Sequence, residues 1–321
     1  MRTLHAFALA SSLTCAACGS SSPTADMGKP DLASRDGGGG GEEDLASSVA
    51  PFRYVTDAIK LPKNKMDFAR DVNGDAKPEN RLGDVVASLK AINYDLQAQE
   101  DAAVKSGDAL VLFSFRTMDP GLVDDPAASA TVYAAESEPA PDFTGKGTFH
   151  VDKSVMAAQF SGALSGGAFE SADPIKLMSP PTVFLRIMLG EGGSVLLPVV
   201  GARLQFTPKD GQLVGCQLNG AVTAKDIDKV LIPGIAKSLD TTLKRMPCDQ
   251  QCMQVKGFDK NKDGTITAEE LRNDFLVQSL LKPDVDLYDA GGKWAPSRDN
   301  ADPDSLSLGV AFTAVKAKFV E

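Results

Sequence analysis

The chain has 321 residues, of which 43% are hydrophobic, the proportion typical of a globular protein that buries a core. Its net charge of −10 argues against nucleic acid as a partner, because phosphate binding requires a basic surface. Aromatic residues make up only 6%, whereas 29 glycines and 19 prolines indicate many turns and short strands.

The first residues have the pattern of an export signal. Arg2 precedes an apolar run that is too short to span a bilayer, and residues 1–17 are predicted to be a signal peptide. Two alanines then precede Cys18, which resembles the lipobox of bacterial lipoproteins, although Cys15 replaces the usual leucine. The resemblance implies lipidation of Cys18 and a lipid anchor in the cell envelope, with the outer membrane as the expected location. Lipidation of Cys15 and an ordinary cleaved signal are the alternatives.

The folded part is predicted to begin near residue 51. Residues 18–50 are rich in Gly, Ser and Asp, which is typical of a flexible tether. We expect a β-rich domain with flanking helices at 51–247 and an EF-hand region with a C-terminal strand at 248–321. The run 305–320 alternates like a strand and is predicted to return to the sheet.

The middle of the chain consists of short β-prone runs separated by turn residues. The runs predicted as strands are 109–118, 130–135, 147–151, 156–164, 182–189 and 201–206. Apolar residues recur at helical spacing in 81–93 and 226–246, and Pro233 predicts a kink or two helices in the second segment. The expected fold class is α+β, with an antiparallel sandwich or open barrel, flanking helices and a C-terminal EF-hand helix-loop-helix.

The segment 258–271, FDKNKDGTITAEEL, carries polar side chains on alternate residues, then a glycine and a distal carboxylate. It closely resembles the calcium loop of EF-hands. Ca²⁺ takes roughly six to eight oxygen ligands, which a short loop supplies when alternate side chains turn inward. The ligands that the resemblance implies are Asp259, Asn261, Asp263, Thr265 through its carbonyl, Thr267 and Glu270.

A simpler interpretation is that Thr267 and Glu270 form a capping box, which merely starts a helix. That interpretation leaves the alternation before Gly264 unexplained. Lys260 and Lys262 lie beside the ligands and oppose a cation, so we expect a weak site, with a dissociation constant of about 10⁻⁴ to 10⁻³ M.

A second candidate metal site lies upstream in the sequence DVNGD. Asp71, Asn73 and Asp75 alternate as in a dockerin-type calcium loop, which this segment resembles, and Glu79 is a fourth candidate ligand. The pattern departs at Ala76, where glycine is expected. An irregular calcium turn and an Asx-rich surface turn both remain open. Because EF-hands usually pair, we also hypothesise that the two loops pack together.

Three cysteines follow the signal region. Their spacing favours a disulfide between Cys248 and Cys252, although Cys216 bonded to either is also allowed. The two histidines, His5 and His150, give little support to Ser-His-Asp or metallohydrolase sites. No catalytic residue is assigned.

Over most of its length the chain resembles uncharacterised Gram-negative envelope lipoproteins that combine a DxNGD turn, a β-rich middle and a late EF-hand. The resemblance implies Ca²⁺ as the bound ion and a membrane contact through the lipid anchor, and it leaves a protein or glycan partner open. The expected function is that of a calcium-stabilised binding or structural module. The alternative is an envelope enzyme, carbohydrate-active for example, with a structural calcium ion.

Overall fold

The computed structural model describes residues 50–91, 94–189, 193–248 and 250–320. The predicted signal peptide, Cys15, Cys18 and all but the last residue of the predicted tether lie outside the described residues. None of the helices in the described ranges is both long and apolar enough to cross a membrane.

In chain order the described strands are β1 (Phe52–Lys60), β2 (Val111–Arg116), β3 (Ser129–Ala134), β4 (Thr148–His150), β5 (Ala158–Ser165), β6 (Ala168–Ser171), β7 (Val183–Met188), β8 (Ser194–Lys209), β9 (Gln212–Thr223), β10 (Asp286–Tyr288), β11 (Trp294–Ser297), β12 (Ser305–Lys316) and β13 (Lys318–Val320). The described α-helices are α1 (Arg81–Ala91), α2 (Leu96–Ser106), α3 (Ala224–Asp226), α4 (Ile232–Leu243), α5 (Gln250–Val255), α6 (Ala268–Arg272) and α7 (Phe275–Leu280). A π-helical turn, Ile227–Leu231, joins α3 to α4, and 3₁₀-helical turns lie at Pro174–Lys176 and Lys256–Phe258.

One large antiparallel sheet organises this α+β fold. Its nine strands follow the order β6-β5-β3-β2-β1-β12-β9-β8-β7. Strand β6 also pairs with β8, where Phe169 lies opposite Phe206, so eight strands close on themselves. Strand β7 pairs with the first part of β8.

The closed sheet differs from the predicted sandwich or open barrel. The long strand β8 is irregular between Val200 and Arg203, and Gly201 there adopts a left-handed φ of 59°. Such an irregularity bends a strand and increases its local twist. The first part of β8 can therefore pair with β7 while the second part reaches β6.

Side chains inside the closed sheet form the main core. The largest of them are almost fully buried: Phe115, Phe160, Phe169, Leu204 and Phe206. The ring centroid of Phe115 lies 5.4 Å from that of Phe169 and 5.1 Å from that of Phe206, both in edge-on geometry. Burying one phenylalanine contributes about 1.5–3 kcal/mol, so this cluster is a main source of stability.

The outer face of β1, β2 and β12 is also covered. Leu112 of β2 belongs to a second apolar cluster with Val104 of α2, Phe149 of β4 and Phe319 of β13. Strands β4 and β13 pair in parallel beside the sheet. Because β2 is buried on both faces, its sequence is a nearly continuous hydrophobic run.

The C-terminal strand β12 lies in the middle of the sheet, between β1 and β9. The run 305–320 thus returns to the sheet, as predicted. Ile266 and Leu271 from the region before it are buried in the main core. Residues 51–247 and 248–320 therefore share one hydrophobic core.

The segment 224–243 is one continuous helical stretch. Pro233, predicted to cause a kink or a break, is accommodated by the preceding π-helical turn. A Cβ on Gly234 would lie only 2.3 Å from the side chain of Val195, so glycine permits the helix to approach β8 closely.

Buried amides hold the loop between β1 and α1 against the outer face of β12. Asn80, 1% exposed, donates to the carbonyls of Asp67 (2.7 Å) and Gly309 (2.9 Å) and accepts from the Gly309 N–H (3.0 Å). Asn219 of β9 donates to the carbonyl of Phe68 at 2.5 Å. A Cβ on Gly309 would lie 2.2 Å from this same carbonyl oxygen.

We predict that Gly309→Ala destabilises the protein by about 1–3 kcal/mol, because the new methyl group forces the Phe68 backbone away from the sheet. Urea unfolding measures the change. Gly257→Ala is the control: no atom lies within 4 Å of its Cβ position, and we expect a change within about 0.5 kcal/mol. Equal losses in the two variants would contradict the close approach at Gly309.

Candidate metal centres

The segment 258–271 folds into a tight loop whose backbone N–H groups bond to its own side chains. The Asp259 carboxylate accepts from the N–H groups of Asp263 (3.2 Å) and Gly264 (3.0 Å). Asn261 Oδ1 accepts from the Asp263 N–H (3.0 Å), and Asp263 Oδ1 accepts from the Thr265 N–H (2.8 Å). The first three predicted ligands therefore bond to one strongly curved stretch of backbone, but the carboxylates of Asp259, Asp263 and Glu270 do not bring one oxygen each to within 4.8 Å of one another.

Glu270 closes this loop. Its Oε1 accepts from the N–H groups of Lys260 (2.9 Å) and Asn261 (3.3 Å), and its Oε2 accepts from the N–H and hydroxyl of Thr267, both at 2.9 Å. These hydrogen bonds lower the pKa of the Glu270 carboxyl, and the bond from the Thr267 N–H has the largest effect. Thr267 also accepts from the Glu270 N–H, so the capping box is present together with the closed loop.

The upstream turn repeats the first half of this geometry. The Asp71 carboxylate accepts from the Ala76 N–H (2.9 Å), Asn73 Oδ1 from the Asp75 N–H (3.2 Å), and Asp75 Oδ1 from the Lys77 N–H (2.8 Å). Counted from the first aspartate, these three bonds connect the same positions as in the downstream loop. The loops differ in one further bond, because Asp71 also accepts from the fourth residue, Gly74 (2.6 Å), whereas Asp259 accepts from the fifth, Asp263.

The backbone conformations also agree. The sixth residue is left-handed in both loops, with φ of 67° at Ala76 and 84° at Gly264. The fourth residue is left-handed as well, with φ of 88° at Gly74 and 60° at Lys262. The departure at Ala76 that the sequence shows is therefore a departure of residue type and not of conformation.

Glu79 closes the upstream turn from an earlier position than Glu270 does in the other loop. Its Oε2 accepts from the N–H of Val72, the second residue, at 3.0 Å, and Lys260 is the corresponding second residue that donates to Glu270. An antiparallel bridge between Arg70 and Glu79 brings this glutamate back to the start of the turn. A strand-like return thus replaces the helix as the element that positions the closing carboxylate.

The upstream turn brings three carboxylates into mutual proximity. One oxygen from each of Asp71, Asp75 and Glu79 lies within 4.8 Å of the others, and no second group of this kind occurs in the described residues. Burial raises the pKa of Glu79 to about 8, and the negative charges of Asp75 and Asp71 act in the same direction. A hydrogen bond from the Val72 N–H opposes this shift. Such crowding of carboxyl groups favours a proton or a cation between them.

The two loops are held by different parts of the molecule. Asn73, fully buried, donates to the Ser297 carbonyl (3.0 Å) and to Asn300 Oδ1 (2.9 Å). Ile266 of the downstream loop is buried in the main core, and its N–H donates to Asp240 Oδ1 of α4 at 3.1 Å. Across the described ranges no strand pairing joins the two loops. The structure therefore does not support the hypothesis that they pack together.

The cysteines behind the signal region have distinct environments. The sulfur atoms of Cys248 and Cys252 are bonded to each other. Cys216 is free and buried, and burial raises the pKa of its thiol. His150 is exposed on β4, with Nδ1 3.1 Å from Glu138 Oε2.

We predict that Ala76→Gly stabilises the protein by about 1 kcal/mol, because a left-handed conformation costs an L-residue roughly 1–2 kcal/mol that glycine avoids. Urea unfolding in the presence of a chelator measures the change. Ala102→Gly is the matched control on the exposed side of α2, where the same substitution is expected to destabilise by about 0.5–1 kcal/mol. Losses of similar size at both positions would refute left-handed geometry at Ala76.

Three comparisons, with protein-family models, with curated proteins and with solved structures, found no match to this chain. The assignment of both candidate sites therefore depends on their residues and geometry.

Proposed function

We propose that the protein is a membrane-tethered envelope protein in which Ca²⁺ binds two loops and stabilises a binding or structural module. The observation that carries the proposal is the shared geometry of 71–79 and 259–270. In each, three alternating Asp and Asn side chains share three equivalent bonds to backbone N–H groups, and a glutamate closes the loop on the second residue.

The ligand atoms fit a hard divalent cation. Carboxylate, amide and backbone carbonyl oxygens are the donors that Ca²⁺ prefers, and neither predicted ligand set includes a sulfur or imidazole donor. In the downstream loop the ligands are Asp259, Asn261, Asp263, Thr265, Thr267 and Glu270, in an EF-hand arrangement between α5 with its 3₁₀-helical turn and α6. In the upstream turn they are Asp71, Asn73, Asp75 and Glu79.

Lysines beside the ligands affect the two sites differently. Lys260 Nζ lies 2.8 Å from Asp274 Oδ2, outside the ligand set, so part of its opposition to a cation is neutralised. Lys77 Nζ lies 3.1 Å from Asp75 Oδ2 and competes directly for a ligand atom. Lys77 is 79% exposed, however, and can move into solvent when a cation binds. We therefore propose weak to moderate affinity at both loops.

A structural role for the ion follows from what the loops contact. The turn 71–79 meets residues 297–300, and the downstream loop meets α4, so each loop bridges segments that are distant in sequence. An ion that fixes a loop also fixes its neighbours. The carbohydrate-active alternative would require a pair of carboxyl groups that face one cleft, a condition on which His150, exposed on β4 with Glu138 as its partner, has no bearing.

The proposed location depends on residues 1–50. Lipid attached to Cys18 would anchor the chain in the envelope, and the Gly- and Ser-rich tether would hold the folded part away from the membrane. The acidic folded part then lies in a compartment where millimolar calcium can load weak sites.

We predict that 1 mM Ca²⁺ raises the melting temperature of the protein relative to chelator. A site with a dissociation constant near 0.1 mM contributes about 1.4 kcal/mol, which corresponds to roughly 3–6 °C. Glu79→Gln and Glu270→Gln should each remove part of the shift, because each loses a closing carboxylate, and the double variant should remove it. Differential scanning calorimetry measures all three variants.

Glu269→Gln is the matched control for Glu270→Gln. Glu269 lies in the same first turn of α6 but bonds to Asn273 and Arg272 instead of the loop. The calcium shift should survive in this variant. The proposal fails if calcium leaves the melting temperature of the unaltered protein unchanged. The assignment of Glu270 as a ligand fails if Glu269→Gln and Glu270→Gln remove equal parts of the shift.

We predict that Cys18→Ser moves the protein from the membrane fraction to the soluble fraction, because serine cannot form the thioether that carries the lipid. Cell fractionation and immunoblotting measure the distribution. Cys15→Ser is the control and should leave the protein with the membrane. The reverse result would assign the anchor to Cys15, and release of neither variant would refute the lipid anchor.

A further inference from the structure

An apolar cavity of about 690 Å³ lies between the inner face of the sheet and the helices. Side chains from β7, β12, α1, α4, the π-helical turn and α7 line it. Most of the large ones are aliphatic, for example Leu89, Ile187, Leu231, Ile235, Val277 and Leu308. The volume falls within the range of small-molecule sites, about 300–1,000 Å³.

The cavity is poorly suited to hold ordered water. Apolar walls of this extent favour an apolar occupant over water. Water needs polar partners, and two of the polar side chains in the wall already bond within the protein. Thr242 donates to the Ser238 carbonyl at 3.1 Å, and the Tyr94 hydroxyl donates to Gln99 Oε1 at 3.3 Å.

The wall also restricts the charge of an occupant. Among the described residues that line the cavity there is no lysine, arginine or histidine, so an anionic group would find no counter-charge. Its acidic residues are Glu100 and Asp274. Asp274 Oδ1 accepts from the N–H groups of Leu276 (3.0 Å) and Val277 (3.2 Å), and its other oxygen pairs with Lys260.

Glu100 is the deeper of these groups, at 4% exposure. Burial and the nearby charge of Asp101 raise the pKa of Glu100 to about 7. A hydrogen bond from the Met188 N–H opposes this shift. Its carboxyl can therefore be neutral and offer one hydrogen bond to an uncharged oxygen.

Helix α7 carries hydrophobic side chains that are exposed to solvent. Leu276 belongs to the cavity wall and is 41% exposed, and its neighbour Phe275 is 85% exposed. An apolar molecule can thus meet hydrophobic side chains outside the cavity before it enters.

We propose that the cavity binds a single-chain aliphatic lipid with an uncharged polar head group, of the monoacylglycerol type. The hydrocarbon chain occupies the space between the sheet and the helices. This proposal is independent of calcium binding, because it depends on the cavity wall and not on the loops.

Displacement of a fluorescent probe tests the proposal. The full chain carrying Cys18→Ser is purified without detergent, and N-phenyl-1-naphthylamine is bound in the presence of a chelator, so that failure of the calcium sites has no effect. Monododecanoylglycerol should displace the probe, and dodecanoate should do so at least about tenfold more weakly because its charge has no partner. No displacement by monododecanoylglycerol, or equal displacement by the two compounds, would overturn the proposal.

A matched pair of variants locates the binding site. Leu239 lines the cavity, whereas Leu243, one turn further along α4, packs at the edge of the core outside the cavity wall. Leu239→Trp should weaken monododecanoylglycerol binding at least about tenfold and raise the melting temperature by filling space, and Leu243→Trp should retain binding. Leu308→Phe is a second filling variant if Leu239→Trp does not fold. Full binding by a folded filling variant would show that the lipid lies elsewhere.

Discussion

The pairing of β6 with β8 is the constraint on which the rest of the structure depends. It turns a row of strands into a closed sheet, whose interior must then be filled from within or covered at its ends. Strand β12 takes part in both. Its Phe312 fills the interior by stacking on Phe113, with ring centroids 4.8 Å apart, whereas its Leu306 and Leu308 face the cavity. Because these leucines would otherwise meet water, the helices on this side of the molecule have to cover them.

The two candidate metal loops show which part of such a loop is local and which part depends on the fold. Alternating acceptors bend their own backbone, so DVNGD and DKNKD reach the same conformation although Ala76 replaces a glycine. The closing glutamate is different, because its position depends on the element that follows. A helix delivers Glu270, and a two-residue bridge delivers Glu79. Sequence comparison over the whole loop therefore overlooks the similarity that the first six residues have.

Local patterns predicted several elements that bury large apolar side chains, including β2, β3, β5, α1 and the helical stretch 224–243, but not β1 or β9, which do so as well. Helix α2 was missed because its buried face contains only small or acidic side chains besides Val104, and its signals were the caps Asp95 and Gly107. The spacing of the loop residues predicted both candidate metal sites. Their supports, such as Asp240, and the closure of the sheet could not be predicted, since they join residues far apart in sequence.

The central position of β12 has a consequence for the order of events in folding. Until this strand arrives, β1 and β9 each present an unpaired edge, although both precede it by many residues in the chain. The fold consequently has a high contact order, and closure must follow synthesis of nearly the whole polypeptide. The loop 259–270 precedes β12 in the chain and can form while the sheet is still open. A chain that stops before residue 305 would expose two adjacent strand edges, which is the arrangement that favours pairing between molecules over completion of one.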